Sequence, residues 1–265
     1  MSGEMPPVKN HLLYLWRVFG KWLAFFVFGL GTLLLVLMVF PLMRLFIPGR
    51  IRFQARARKT VSLSFRIFTV FMDLIGIVKL ETADRRSFAR LEGRILVANH
   101  PSLLDVVMLI SLIPNADCIV NGVLLNSIVR GIIRQLYIPN TLDFATLSSL
   151  CAESLERGNC LLIFPEGTRT RRSGPVKVRK GAARISLLSG RPVAPVRIGG
   201  GDKWGLGKKD PWTAFNHTGP YRYELTLLDE ISPERYLSFS YNAGVKLMND
   251  EIKEVLFGPP GREIR

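Results

Sequence analysis

Hydrophobic and polar positions divide the chain into an apolar amino-terminal part and a longer part in which short apolar runs alternate with helical patterns. Residues 22–43 contain no charged side chain and would span about 33 Å as a helix, which matches the hydrocarbon core of a membrane. The run starts too far into the chain for an ordinary signal peptide and lacks a small-residue cleavage site, so we expect a retained anchor. We predict a membrane anchor with a basic flank over residues 1–60 and a second domain over residues 61–265.

A second apolar stretch, residues 61–80, carries most of its polar side chains in one narrow stripe. Ser62, Arg66, Thr69 and Asp73 recur at i, i+4, i+7 and i+11. An amphipathic helix that lies in the membrane interface would show this pattern, and so would a helix packed on the domain core with one polar seam. Both alternatives stay open, and we treat residues 61–80 as a candidate interfacial helix.

The remaining chain alternates strand-like and helix-like segments. Apolar runs of strand length fall at residues 77–80, 94–98, 118–121, 160–164, 193–198 and 221–228. Helical patterns fall at residues 103–111, 124–136, 146–157 and 241–257. This alternation predicts an α/β fold, a mixed sheet flanked by helices, behind the amino-terminal membrane-anchoring helical segment. The glycine-rich residues 199–209 are typical of a surface loop.

A histidine and a carboxylate five residues apart follow the strand-like residues 94–98, where residues 99–105 read Asn-His-Pro-Ser-Leu-Leu-Asp. Because functional side chains commonly sit where strands end, we assign His100 as a general base and Asp105 as the carboxylate that orients it. A structural alternative also fits, in which Ser102 and Asp105 form the capping box of the next helix. Both can hold together, since a carboxylate in the first helical turn can bind one imidazole nitrogen and leave the other free.

A second polar turn follows the strand-like residues 160–164, where residues 165–169 read Pro-Glu-Gly-Thr-Arg. An arginine binds phosphate through two parallel hydrogen bonds, so Arg169 is the first candidate for binding the phosphate of a ligand and Lys180 the second. Glu166 fits an organiser of the arginines or of a ligand's hydroxyls, and an ordinary ion pair is a close alternative.

Residues 167–201 contain nine lysines and arginines and no acidic residue, which favours an anionic ligand. Four of these cations, Arg171, Arg172, Lys177 and Arg179, are more typical of a solvated basic loop. Runs of charge usually serve only general electrostatics, so we assign them no specific contact.

The two polar turns together resemble motifs of the glycerolipid acyltransferase superfamily. Asn-His-x-Ser-x-x-Asp at residues 99–105, followed by Phe-Pro-Glu-Gly-Thr-Arg at residues 164–169, is similar to the pair in 1-acyl-sn-glycerol-3-phosphate (lysophosphatidate) acyltransferases. Lys-Gly-Ala at residues 180–182 and the proline-containing residues 191–196 are similar to two further blocks of that family. One block departs: where the family has Gly-x-Phe-x-x-Arg, residues 135–140 read Gln-Leu-Tyr-Ile-Pro-Asn, without the arginine that the family associates with substrate binding.

The resemblance implies a membrane-bound O-acyltransferase that moves a fatty acyl group from acyl-coenzyme A or acyl carrier protein to the hydroxyl of a lysophospholipid, here lysophosphatidate. His100 suits the base because histidine titrates near neutral pH, and the other histidines, His11 and His217, lie where solvated side chains are expected. No serine nucleophile is needed, since the chain has no Gly-x-Ser-x-Gly turn. The substrate-binding residues that we assign are Asn99, Ser102, Glu166, Gly167, Thr168, Arg169, Lys180 and Gly181.

Two alternatives to this function stay open. The missing arginine favours the same chemistry on a different acceptor, such as an aminolipid, a glycolipid or a specialised lipid. A protein of another class would bind anionic lipid without any activity, and the chemical groups of the two turns would then serve no purpose. A His100→Ala variant separates that reading from both enzymes.

The formal charge of +15 and the pI of about 10.2 indicate anionic partners. The sequence contains none of the usual nucleic-acid-binding modules, so we expect anionic membrane lipids and no nucleic acid. More basic residues follow the apolar run than precede it, which predicts a catalytic domain on the cytoplasmic side of a bacterial-type inner membrane. Cys118, Cys151 and Cys160 have no metal-ligand spacing, so we expect no metal, no disulfide and no cofactor besides the acyl thioester as co-substrate.

Overall fold

The apolar amino-terminal part of the chain forms one long helix. The structure is a computed structural model that describes residues 7–126, 129–171 and 175–259. The helix comprises α1 (His11–Leu34), a π-helical turn (Leu35–Val39) and α2 (Phe40–Phe46). Asn10 caps it, since its side chain accepts a hydrogen bond from the Leu13 amide at 3.0 Å. Pro41 lies just after the π turn, and its missing N–H explains the break in the α-helical hydrogen bonds there.

The long helix extends the predicted apolar run at both ends. It spans His11–Phe46, and within the described residues it is the one helix that is long and apolar enough to cross a membrane. Most of its large apolar side chains are exposed. Near its start the Lys21 ammonium donates to the carbonyls of Trp212 and Ala214 at 2.5 and 2.6 Å, which holds α1 against the rest of the protein.

Helix α3 (Arg50–Leu74) contains the stretch whose placement the sequence left open. One apolar side of α3, with Val61 and Met72, is buried in the core, so the helix packs on the domain. The opposite side is also apolar and is exposed, with Leu63 and Ile67 four residues apart. Because α3 runs without a break across residues 60 and 61, the predicted domain boundary falls inside a helix.

A buried ion pair fixes α3 to the sheet. Arg58 donates to Asp117 at 2.8 Å and to the Leu136 carbonyl at 3.1 Å, and Ser154 donates to the same carboxylate at 2.6 Å. Burial raises the pKa of Asp117, and the Arg58 charge opposes that shift. Breaking such a pair would leave an uncompensated buried charge, so Arg58 and Asp117 together hold α3 on the sheet.

Among the described residues that follow α3, the strands form a seven-stranded mixed sheet, which confirms the predicted fold class. The strands are β1 (Val78–Thr82), β2 (Ile95–Ala98), β3 (Ala116–Val120), β4 (Ile138–Pro139), β5 (Cys160–Ile163), β6 (Val193–Gly199) and β7 (Tyr221–Leu227). Their order is β1-β7-β6-β2-β5-β3-β4, and every neighbouring pair is parallel except β6 with β7. All four residues of β2 are buried because helices cover both faces of the sheet.

Alternate residues of the central strands supply two separate cores. Leu96 and Ala98 of β2 face the core shared with α1, α3 and α5, whereas Ile95 and Val97 face the core shared with α7, α8 and α9. The helices of this part are α4 (Arg85–Ala89), α5 (Asp105–Leu112), α6 (Arg130–Leu136), α7 (Phe144–Glu156), α8 (Gly181–Ser189) and α9 (Tyr241–Phe257). The site therefore rests on a sheet that is clamped from both sides.

Two elements differ from the prediction. The helix predicted over residues 124–136 is a 3-10 turn (Gly122–Asn126) followed by α6, and residues 127 and 128 lie outside the described residues. The predicted strands did not include the two-residue β4, which pairs only with the end of β3. A strand this short has no period for a sequence pattern to show.

Candidate active site

The two polar turns meet because their strands are neighbours. β2 and β5 pair in parallel, with Val97 opposite Ile163, so the turns after them emerge at the same edge of the sheet. The Thr170 amide donates to the His100 carbonyl at 2.7 Å, and the His100 amide donates to Glu166 Oε1 at 3.0 Å. The second turn thus holds the backbone of the first at the histidine itself.

His100 and Asp105 form the hydrogen-bonded pair that the sequence predicted. The imidazole Nδ1 lies 2.7 Å from Asp105 Oδ2, and the Ser102 amide donates to that same oxygen at 2.7 Å. Helix α5 begins at Asp105, and the bond from the Ser102 amide is the half of the predicted capping box that is present, since Leu104 caps the helix without a side-chain hydrogen bond. The catalytic role of the pair stays a prediction. Because an ionised carboxylate accepts only, Nδ1 carries the hydrogen and Nε2 is left with its lone pair.

The imidazole is fixed by its face as well as by its edge. The ring of Phe164, the last residue before the second turn, stacks on the His100 ring with centroids 4.1 Å apart and planes 23° apart. The His100 side chain keeps 17% of its surface exposed, whereas the Asp105 side chain keeps none. A base that is reachable from solvent and held by a buried carboxylate can take a proton from a bound hydroxyl group.

Ser102 lies behind the pair, and the structure corrects its predicted role in substrate binding. The residue is completely buried, and its Oγ donates to Asp105 Oδ1 at 2.6 Å. The same oxygen lies 2.7 Å from Tyr223 Oη and accepts from the Leu104 amide at 3.2 Å. Ser102 therefore holds the carboxylate, and substrate cannot reach it.

Asn99 is half-buried and binds the backbone of β6, and its part in substrate binding stays a prediction. Its side-chain amide donates to the Ile198 carbonyl at 3.0 Å and accepts from the Ile198 amide at 2.7 Å, as a strand residue would. The side chain thus extends the pairing of β2 with β6 by one position. Asn99 serves the backbone on which His100 sits, and both ends of its amide are used there.

Glu166 organises the histidine turn. Its Oε1 accepts from the His100 amide and from Thr170 Oγ1 at 2.6 Å, and the residue is 9% exposed. Burial raises the pKa of this carboxyl, and the bonds from Thr170 and His100 oppose the shift. One of these bonds comes from the histidine turn and the other from Thr170, where the sequence suggested arginines or the acceptor's hydroxyls.

Cations gather on the glycine turn beside this pair. Gly167 has φ +68°, and a Cβ there would lie 2.8 Å from Arg179 Nε, so Arg179 packs directly on the turn. Lys208 donates to Thr168 Oγ1 at 3.0 Å. Arg169 Nη1 donates to the carbonyls of residues 206 and 207 at 2.9 Å each, which ties the loop after β6 to the turn. A phosphate would meet positive charge here.

The remaining predicted residues lie at a helix start. Lys180 is exposed and immediately precedes α8, whose first residue is Gly181. The role of Lys180 and Gly181 in substrate binding stays a prediction. The same holds for Gly167, Thr168 and Arg169. Of the basic loop residues, Arg172 lies outside the described residues.

Three residues lie where the sequence reasoning did not place them. Tyr223 lies on the buried side of β7, and Lys203 is 2% exposed although residues 199–209 predicted a surface loop. His217 was expected in solvent, yet its ring stacks on Tyr14 with centroids 4.7 Å apart. The alternation of Tyr221 and Tyr223 along β7 is a signal of burial, whereas no local pattern marks a lysine that folds back over a sheet.

Comparisons with known proteins found a matching family model and similar sequences. Residues 79–199 match the family model named Acyltransferase. A chloroplastic 1-acyl-sn-glycerol-3-phosphate acyltransferase of Arabidopsis thaliana is 26% identical over 182 residues, which cover 65% of this chain and 49% of the relative. One of Brassica napus is 28% identical over 139 residues, which cover 49% of this chain and 38% of the relative. The matched segments thus span about half or less of those relatives.

A solved structure shares the fold. The crystal structure of the 1-acyl-sn-glycerophosphate (LPA) acyltransferase PlsC from Thermotoga maritima superposes with a TM-score of 0.65 and 20% identity, covering 93% of this chain and 99% of that one. The family model spans both polar turns and the four strands that carry and flank them. The resemblance to the glycerolipid acyltransferases is therefore confirmed over residues 79–199, the part of the chain that matches the family model.

Proposed function

We propose that this protein transfers a fatty acyl group from a thioester, acyl-coenzyme A or acyl carrier protein, to the hydroxyl of a lysophospholipid, and that 1-acyl-sn-glycerol-3-phosphate is the acceptor. The observation that carries the proposal is the bond between His100 Nδ1 and Asp105, which leaves Nε2 as a base at the exposed edge of the site. The relatives of Arabidopsis thaliana and Brassica napus are named for this acceptor.

The reaction needs one proton transfer in each direction. Nε2 of His100 takes the proton of the acceptor's hydroxyl as its oxygen attacks the thioester carbonyl. The carbon–oxygen bond forms, the carbon–sulfur bond breaks, and the imidazolium returns the proton to the departing thiolate. Asp105 keeps Nδ1 protonated throughout and stabilises the imidazolium, so the transfer needs no covalent enzyme intermediate.

The acceptor's phosphate is proposed to lie against the glycine turn. Arg179 and Lys208 flank Gly167 and Thr168, and Arg169 adds charge from the other side. Arg179 takes the place first given to Arg169 because one nitrogen of Arg169 already binds two carbonyls. A guanidinium beside a positive-φ glycine can bind phosphate together with the exposed backbone of the turn.

A second candidate acceptor is favoured by one segment. Asn140 stands where the family has its arginine, and its Oδ1 accepts from the Gly122 amide at 3.1 Å. Asn140 therefore binds a turn of the protein and supplies no positive charge for a phosphate. A lysolipid with another head group, such as an aminolipid, could accept the acyl group by the same chemistry. The His11–Phe46 helix is proposed to anchor the enzyme in the membrane that supplies either lipid.

An acyl-transfer assay tests the proposal. Detergent-purified protein and a His100→Ala variant are incubated with labelled acyl-coenzyme A or acyl carrier protein and a panel of lysophosphatidate, other lysophospholipids and lyso-aminolipids. Histidine-dependent acylation of lysophosphatidate supports the leading acceptor, and transfer confined to a lyso-aminolipid selects the second. Transfer that survives in His100→Ala, or no transfer to any acceptor, contradicts the proposed function.

A further inference from the structure

Four buried side chains form a continuous line behind the imidazole. Lys203 Nζ lies 5.0 Å from the centroid of the Tyr223 ring, Tyr223 Oη lies 2.7 Å from Ser102 Oγ, and Ser102 Oγ lies 2.6 Å from Asp105 Oδ1. Lys203 is 2% exposed and the other three residues are completely buried. Apolar side chains of similar volume would fill this space at lower cost, because buried polar groups lose their hydration. A line of this kind calls for a role besides packing.

The hydrogens along the line have one consistent direction. Asp105 accepts three hydrogen bonds, and one of them uses the single hydroxyl hydrogen of Ser102. Ser102 Oγ can then only accept from Tyr223 Oη, so Tyr223 is the donor. Burial raises the pKa of Tyr223 well above its usual value, which keeps that hydroxyl protonated. Two O–H groups in series thus point at the carboxylate.

Lys203 stands at the far end of the line as a held cation. Its Nζ donates to the carbonyls of Gly199 and Gly201 at 3.0 and 2.7 Å. Burial lowers the pKa of Lys203 to about 8, against the attraction of Asp105, Asp202 and Glu224, so the ammonium form prevails at neutral pH. A cation over a phenol ring draws electron density from it and makes its hydroxyl a stronger donor.

We propose that Tyr223 and Lys203 are positioning residues for the reaction of His100. The ammonium and the two hydroxyls orient the carboxyl group of Asp105, so that the Ser102 hydroxyl binds Oδ1 and Oδ2 is aimed at Nδ1. This inference rests on the proposed acyl transfer, because it concerns the base of that reaction.

The line has a consequence for the pH dependence of transfer. The charged groups that face Asp105 are His100, Lys203 and the nearby Glu166. Removing the ammonium or the phenol hydroxyl leaves the charge of Asp105 less compensated, so the carboxylate attracts a protonated imidazole more strongly. The base then stays protonated to higher pH, and the acid limb of the rate profile moves upward.

Two variants with matched controls test the inference. Tyr223→Phe is compared with Tyr221→Phe, which removes the hydroxyl of another fully buried tyrosine on the same strand, one that binds the Trp204 carbonyl and not Ser102. Lys203→Met is compared with Lys209→Met, which removes an exposed charge from the same loop. We measure kcat and KM for the acceptor from pH 5 to 9, with thermal unfolding to check the fold. Tyr223→Phe should lower kcat about tenfold with KM unchanged, and both test variants should move the acid limb up by about half a pH unit.

The controls should keep kcat within about twofold of the parent and leave the limb in place. A fall in rate without a shift of the limb in folded Tyr223→Phe and Lys203→Met overturns the inference, because a structural role predicts that result. If one of the two does not fold, the other decides the outcome. Failure of the proposed function looks different, since the parent itself would then show no histidine-dependent transfer.

Discussion

The turn after β2 carries the Asp105 carboxylate and the loop after β6 places Lys203 over Tyr223 behind it, but the two segments differ in what their sequences reveal. The turn holds His100 and Asp105, a pair of residue types that predicts a general base and the carboxylate that orients it. The loop reads as glycine-rich surface, yet it places Lys203 behind Tyr223 and supplies the two carbonyls that bind Arg169 Nη1. The comparison shows that the reacting residues can be predicted from a local motif. The residues that position them cannot, because their contacts depend on how distant parts of the chain pack together.

The largest effect should come from Asp105→Asn, which alters the turn alone. An amide in this place can donate to Nδ1 and so favours the imidazole with its hydrogen on Nε2, where the base is needed. We expect kcat to fall by about 10³- to 10⁴-fold while the fold is kept, since the similar loss in a serine protease triad has that size. Full activity in this variant, measured by acyl transfer, would contradict the role given to the carboxylate.

The loop can be broken separately through Gly205. Its φ is +86°, and a Cβ there would lie 1.9 Å from the Ala214 carbonyl oxygen, so Gly205→Ala forces two backbone segments apart. Because Leu206 and Gly207 bind Arg169, we expect transfer to fall about 100-fold, the cost of displacing a site by about 1 Å.

Gly201→Ala is the matched control for that change. Gly201 also has positive φ, at +80°, but a Cβ there meets nothing within 4 Å. It should share the backbone strain, about 1 kcal/mol in the free energy of unfolding, and keep most of the activity. Equal losses of activity in both variants would show that the path of the loop does not matter.

Arg179→Ala should weaken binding of the acceptor without slowing the chemistry. We expect the KM for lysophosphatidate to rise about tenfold and the KM for an acceptor without phosphate to stay the same, because a hydrogen-bonded ion contact is lost. Lys177→Ala, an exposed cation two residues earlier, is the control and should change neither value. A rise in KM for both acceptors would contradict this role and indicate that Arg179 only supports the structure of the turn.

The smallest effect should be on stability, in Glu166→Gln. Burial raises the pKa of Glu166, so the folded protein holds this proton more tightly than the unfolded chain. Its stabilising contribution is complete below the ordinary value of 4.5 and is lost as pH rises through the folded pKa. The amide avoids that loss, so the melting temperature of Glu166→Gln should be about 3 °C higher at pH 8. This corresponds to about 1 kcal/mol in the free energy of unfolding, and no gain is expected at pH 4. An equal rise in melting temperature at pH 4 and pH 8 would contradict the raised pKa of Glu166.

Strands, helices and the reacting pair could be predicted because each has a local signature. Six of the seven strands fall on apolar runs, and α5, α7 and α9 fall on helical patterns within two residues of their ends. The contacts of Asn99 and Ser102 could not be predicted, since they depend on β6 and β7, about 100 and 120 residues further along. The motif predicted that Asn99 and Ser102 belong to the site, but not that they hold the backbone of His100 and the carboxylate of Asp105 in place.

The central claim is that Asp105 fixes the imidazole with its hydrogen on Nδ1. Nitrogen NMR of protein labelled with ¹⁵N-histidine, with the His100 signals assigned by their absence from His100→Ala, measures the tautomer directly. The account predicts a protonated Nδ1 and an unprotonated Nε2 at pH 8, with the preference lost in Asp105→Asn. A hydrogen on Nε2 in the parent protein would contradict it, because the base would then have no lone pair to offer the acceptor.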